Sequence, residues 1–292
     1  MLRAQNPQRT AAVGKIPGVS YTIRVGGPPR VGSGLIAALA APPAHYVANA
    51  VYADGRGRLD IIEGGVESVF ATGDYVLFDS TDLVIVHPST HEFVPLSHEA
   101  SGGKMSEMQA MGLTLKIGDL KVTIDSIPGS DSVAGRATRH FRMTTAFTMS
   151  IAAGLLQQRL ATESITDYWV ATVPGLPGNP LLRANGFSDT PVATGMFKEL
   201  SERVDSAAAL MGPTVALRTS TSSRLMQGPG SIVQMQQTSE VSDLKNVDID
   251  PSLLMLPAGY AEAALPGMSV TGRVDAGAKW RIVPGTTGRP RR

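Results

Sequence analysis

The chain contains no cysteine. Thiol nucleophiles, zinc–thiolate centres and disulfides are therefore excluded, while the compartment stays open, since exported bacterial proteins also do without cysteine. Aromatic residues are scarce at 5%, so a core must be assembled mainly from Val, Ile, Leu, Met and Ala. An excess of either charge is missing as well: 26 Lys and Arg stand against 25 Asp and Glu, a formal net charge of +1. That balance argues against a nucleic-acid protein, whose phosphate contacts require clustered positive charge. The one basic cluster, Arg289, Arg291 and Arg292, reads either as a solvated tail or as a contact for anionic lipid or an acidic partner. No apolar run approaches the roughly 20 residues of a membrane-spanning helix. Catalytic motifs are also missing: Gly26-Gly27, Gly64-Gly65 and Gly102-Gly103 match neither a P-loop nor a dinucleotide fingerprint, and no Gly-x-Ser-x-Gly elbow occurs. No cofactor is indicated.

What is present is a globular composition, 42% hydrophobic and 17% charged over 292 residues, ample for a core without metal or disulfide staples. The expected organisation is a flexible leader over 1–18, one β domain over 19–262 and a tail over 263–292, because both ends are punctuated by Pro and Gly and lack periodicity. Leu2-Arg3-Ala4-Gln5-Asn6 resembles the end of a signal peptide joined to a mature chain, so a precursor that starts upstream is expected.

The strongest pattern is the uninterrupted alternation from Arg139 to Ile151. Phe141, Met143, Thr145, Phe147, Met149 and Ile151 fall on one side, and His140, Arg142, Thr144, Ala146, Thr148 and Ser150 on the other. A period of two over this length predicts a spine strand with one buried face. Further strands are read at Val19–Val25, Tyr46–Tyr52, Arg58–Ile62, Gly73–Asp79, Leu83–His87, Leu120–Ile127, Ile165–Ala171, Thr214–Arg224 and Ser231–Val241, with Asp54-Gly55 a hairpin turn. Tyr75–Phe78 and Leu83–Val86 are apolar on both faces and call for cover on both sides. Pro128-Gly129-Ser130-Asp131 reads as the turn into the spine, and Gly32–Ala41 fits a short helix or an apolar loop. Met105, Met108 and Met111 recur every third residue, as in a short helical turn. Ala193–Met211 is the one long helix, with Met196, Leu200, Val204, Ala207, Ala208 and Met211 in one stripe, Thr194 as N-cap and Gly212-Pro213 as stop. Many strands and one amphipathic helix predict a mainly β (α+β) fold, a curved antiparallel half-barrel sheet with the helix on its concave face.

In their order, Gly73 to Ser80, His87-Pro88, Thr138-Arg139-His140-Phe141, Thr166 to Ala171 and Asp248 to Tyr260 resemble a bacterial envelope domain family of unknown function, related in fold to the periplasmic lipoprotein-localisation carriers. The resemblance spans roughly Val19 to Tyr260. It implies an unclosed β half-barrel around helical cover, an apolar interior and a periplasmic or cell-envelope location. It supplies no catalytic residues, and no lipid anchor is carried over, since a lipobox needs a cysteine.

Three constellations are candidates for chemistry. His87 and His91, with Glu92, His98 and Glu99 nearby, offer metal-ligand types, but Pro88 prevents a helical i, i+4 pair, and a solvated hairpin is the plainer reading. His140 with Asp167 offers half of a catalytic arrangement, and the plainer reading makes Arg139, Arg142 and Asp167 a cross-strand charge ladder. The methionines, twelve in all, either fill gaps in a core short of aromatics or line a cavity for variable apolar shapes. On the second reading the ligand residues are Met105, Met108, Met111, Phe141, Met143, Phe147, Met149, Met196, Leu200 and Val204, with Met105 to Gly112 as a lid. The expected function is non-enzymatic: binding of a hydrophobic ligand, whether a lipid, an acyl chain or an apolar protein segment, in the half-barrel. The alternative is an extrinsic structural subunit docked on a membrane protein complex. Neither reading includes nucleic acid or a transmembrane segment.

Overall fold

Period-two alternation dominates because β-branched and hydroxylated residues stand on one pleated face while charges stand on the other. The computed structural model describes residues 14–28, 45–66, 70–79, 83–95, 113–153, 156–176, 198–227 and 231–263. The strands are β1 (Ile16–Gly26), β2 (His45–Ala53), β3 (Arg56–Val66), β4 (Phe70–Ala71), β5 (Tyr75–Phe78), β6 (Leu83–His87), β7 (Glu92–Pro95), β8 (Leu113–Val133), β9 (Arg136–Ala153), β10 (Leu156–Ala171), β11 (Val215–Gln227), β12 (Ser231–Ile249) and β13 (Ala261–Glu262). Among the described residues one helix, α1 (Lys198–Ala209), precedes β11, and a 3-10 turn (Pro251–Leu254) follows β12. All strands belong to one curved, unclosed sheet in the order β13-β7-β6-β5-β3-β2-β1-β12-β11-β10-β9-β8, with β4 beside β3. Pairing is antiparallel except between β13 and β7. The fold class is thus as the alternation predicts, a mainly β half-barrel with one helix on its concave face.

The spine is β9, flanked by β8 and β10. Several boundaries move outward, and β1 begins at Ile16 rather than Val19. Asp54 and Gly55, with φ of 49° and 77°, make the expected tight hairpin between β2 and β3. The expected turn at Pro128 to Asp131 is corrected: those residues lie inside β8, where the register against β9 slips between Ile127 and Asp131. Pro128 is tolerated because β8 is the sheet's edge and an irregularity there needs no ladder donor. The turn is instead made by Ala134 and Gly135, both with positive φ.

In the N-terminal half, Ile23, Val25, Tyr46, Ala48, Leu59, Ile61, Val76 and Ile85 form the largest core. Val133 from the β8–β9 hairpin, Ala171 and Val173 from the end of β10, and Val215 and Leu217 from β11 join it. The opposite face of β5 and β6 carries Tyr75, Leu77, Val84 and Val86 under Leu256 and Tyr260, so these strands are covered on both sides. Asp250 holds the 3-10 turn by accepting from the Ser252 N–H at 2.9 Å. This bond, together with the Ser252 side chain, keeps the Asp250 carboxyl below its ordinary range. Among the described residues, no helix is long and apolar enough to cross a membrane.

Candidate functional site

Register sorts the residues of β9 to β12 onto two faces, because residues directly opposite in an antiparallel ladder share a face. On the concave face β9 places Phe141, Met143, Thr145, Phe147, Met149 and Ile151, and β10 places Leu160, Thr162, Ser164, Thr166, Tyr168 and Val170. Across from these, β11 places Thr219, Thr221, Ser223 and Leu225, and β12 places Val233, Met235, Gln237 and Ser239. This set carries no charge, and Arg139, opposite Val170 on the same face, is the cation at its end. The convex face of the same strands carries Arg142, Arg159, Glu163, Asp167, Arg218, Arg224 and Glu240.

The concave face divides into three zones along the strands. Beneath α1, Phe141, Met143, Tyr168, Val170 and Met211 pack with Val204, Ala207 and Ala208. Arg139 holds the end of this helix: its guanidinium donates to the Met211 carbonyl at 2.6 Å, where the carbonyls at the helix end and the negative end of the helix dipole favour a cation. The reading of Arg139 as part of a charge ladder is therefore corrected. At the far end, Leu160, Leu225 and Val233 pack with Met149, Ile151 and Met235.

Between the two apolar zones lies a ladder of hydroxyls. Ser164 Oγ and Ser223 Oγ are 2.8 Å apart, Thr166 Oγ1 and Thr221 Oγ1 3.1 Å, and Thr219 Oγ1 and Ser239 Oγ 2.7 Å. Thr166, Thr219, Thr221 and Ser239 are buried. Each pair bonds internally, and none of these hydroxyls is a buried group left without a partner.

The ligand residues read from the sequence separate accordingly. Phe141, Met143 and Val204 meet under α1, and Leu200 lies half-buried on the same helix. Met149 does not face the helix as expected but joins the distal cluster, with Phe147 at the intervening same-face position. The described helix residues Lys198–Ala209 span about 18 Å, whereas the ten steps from Phe141 to Ile151 extend about 33 Å. Met105, Met108, Met111 and Met196 lie outside the described residues, as do the lid and Thr194. Leu160, Leu225, Val233, Met235 and the hydroxyl ladder escaped sequence reasoning. Their alternation was visible in Thr219, Thr221, Ser223 and Leu225, but which strand lies beside which was not.

On the convex face, His140 Nε2 donates to Asp167 Oδ1 at 2.9 Å, and Arg142 grips both oxygens of Asp167 at 2.9 and 3.1 Å. Burial alone would raise the Asp167 carboxyl, but the hydrogen bonds from Arg142 and then His140 outweigh it and hold the carboxyl below its ordinary value. His140 stacks on Trp169 with ring centroids 4.4 Å apart. The Trp169 indole N–H donates to Asp131 at 2.7 Å, and Arg218, paired at both nitrogens with Glu240, lies 5.5 Å from the indole ring. Among the described residues no hydroxyl is hydrogen-bonded to His140, so the cluster fastens the β8–β9 hairpin to β10. His87 Nδ1 pairs with Asp74 at 3.0 Å and His91 rests against Tyr260. His98 and Glu99 lie outside the described residues, and among those described no group of three metal-binding side chains forms.

Comparison of the chain with family models, with curated proteins and with solved structures returns no match.

Proposed function

We propose that the protein is a non-enzymatic cell-envelope component that binds a hydrophobic ligand, such as a lipid, an acyl chain or an apolar protein segment, on the concave face of the half-barrel. The observation that carries this reading is the charge segregation across β9 to β12: seven ionic residues share the convex face, while from Phe141 to Ile151 and their partners the concave face carries none, Arg139 at its end being bound to the Met211 carbonyl. Helix α1 accounts for the apolar zone at Phe141 and Met143. In the distal zone Met149, Ile151 and Met235 stay half-buried over the buried Leu160 and Leu225, and the two methionines have flexible side chains suited to variable shapes. The location in the envelope follows from the resemblance to the lipoprotein-localisation carriers.

Titration of the full chain with the neutral fluorophore N-phenyl-1-naphthylamine tests the reading. Saturable enhancement is expected, and Met149→Gln together with Met235→Gln weakens it by roughly tenfold, as two lost apolar contacts of about a methylene each would. An unsaturable signal in the unaltered protein overturns the reading.

A second reading, an extrinsic structural subunit docked on a membrane protein complex, is favoured by the closed packing beneath α1, where Met143 is only 3% exposed. Co-purification of a membrane complex by a protein that binds no apolar probe selects it.

A further inference from the structure

The sheet leaves its longest strand, β8, at one end of the strand order, with β9 on one side only. Its pairing with β9 is regular from Lys121 to Ile127 and slips on either side, between Gly118 and Lys121 and between Ile127 and Asp131. Along the regular stretch Lys121, Thr123 and Asp125 stand exposed on the convex face, while Val122 and Ile124 stand half-buried on the concave one, against the cluster beneath α1. Among the described residues neither Lys121 nor Asp125 forms an ion pair; Arg142, which lies opposite Asp125, is taken by Asp167. Among the same residues, the outward backbone groups of the stretch bond to no further segment. Such an edge is a template for another strand, because its row of N–H and C=O groups is spaced for a ladder. A lysine on an edge ordinarily opposes that pairing. Here an aspartate follows four residues later on the same face, and the spacing makes the edge complementary to itself.

We propose that a second copy of this chain pairs with that edge, β8 antiparallel to β8, about a two-fold axis through Thr123. In this register Thr123 meets its own counterpart, Val122 meets Ile124, Lys121 meets Asp125 and Leu120 meets Ser126. The unlike pairs each occur twice, as a two-fold contact requires, and opposite charges or β-branched side chains directly across a ladder are favourable. Moving the axis destroys the match. Through Lys121 or Asp125 it sets that charge against itself, through Val122 it sets Asp125 against Asp119, and through Ile124 it leaves both charges without a counterpart. The irregularities at either end of the stretch limit the contact, since beyond Leu120 and Ser126 each strand meets the slipped register of the other. The result is a closed dimer in which the two sheets run on across the axis with both concave faces turned the same way. This contact is independent of what the concave face binds.

Sedimentation equilibrium of the full chain tests the contact by charge reversal. The unaltered protein should be dimeric in the micromolar range. Lys121→Asp and Asp125→Lys each set like charges against one another twice and should weaken the dimer by about tenfold or more. The exchange Lys121→Asp/Asp125→Lys should restore it, and so should an equimolar mixture of the two single variants, in which one copy supplies two aspartates and the other two lysines. Both side chains are exposed, so the variants should fold, and circular-dichroism melts check that they do. A monomeric unaltered protein overturns the proposal. So does a dimer indifferent to both single reversals, or a pair of single variants that stays monomeric on mixing.

Discussion

The half of the sheet built from β1 to β7 and the half built from β8 to β12 share one ladder but differ in their interiors. In the first, Ile23, Leu59, Val76 and Ile85 are essentially inaccessible and form one continuous apolar core with Tyr46 and Phe78. Burial is deep enough there to push the Tyr46 phenol well above its ordinary value. In the second, longer strands carry two smaller clusters with a hydroxyl ladder between them. A domain selected for stability alone would fill that gap with aliphatic side chains, since an apolar core is at least as stable as a polar one. On the proposed reading, stability rests in the first half and recognition in the second.

The largest effect that sharpens this contrast is Leu59→Ala, which should cost about 2–5 kcal/mol in denaturant unfolding, as deep truncations do when the site cannot collapse. A loss under about 1 kcal/mol would mean that the N-terminal core is not the rigid part. Next is Asp167→Asn. It removes the acceptor shared by His140 and Arg142 and should destabilise by about 1–3 kcal/mol at neutral pH, because hydrogen bonds to a charged group are lost. Asp167 also gives the stability a pH dependence. Its carboxyl is depressed in the folded state, so the stabilisation is complete above the unfolded value of about 3.9 and disappears as the pH falls through the lower folded value. Unfolding followed from pH 6 to pH 2 should therefore show a smaller acid loss in Asp167→Asn than in the unaltered protein. Equal slopes would remove Asp167 from the account. The smallest effect is the rung replacement Thr166→Val/Thr221→Val, which should change stability by less than about 1 kcal/mol, since both hydrogen-bond partners are removed together. A loss comparable to that of Leu59→Ala would make the ladder a structural element and erase the distinction between the halves.

Much of the scaffold was legible because it is local. The spine alternation, the Asp54-Gly55 turn, the two-sided apolar strands β5 and β6, and the Val204 to Met211 stripe all follow from period and turn chemistry. The turn at Ala134-Gly135 was missed because Pro128-Gly129 carries a stronger turn signature. What makes Pro128 acceptable inside a strand is the edge position of β8, and that is a property of the sheet rather than of the segment. Arg139 was likewise grouped with its sequence neighbours, although strand alternation places it on the opposite face from Arg142, where the end of α1 waits for a cation. The hydroxyl ladder needed the register of β10 against β11 and of β11 against β12, which separates partners by 20 to 59 positions in the chain. Single-strand patterns do not carry that information.

The central claim, recognition of an apolar ligand by the concave face of β9 to β12, is tested most directly by saturable binding of N-phenyl-1-naphthylamine to the full chain. The account predicts a single saturating isotherm that weakens in Met149→Gln/Met235→Gln. A signal that rises linearly without saturation, or one indifferent to the methionine changes, would contradict it.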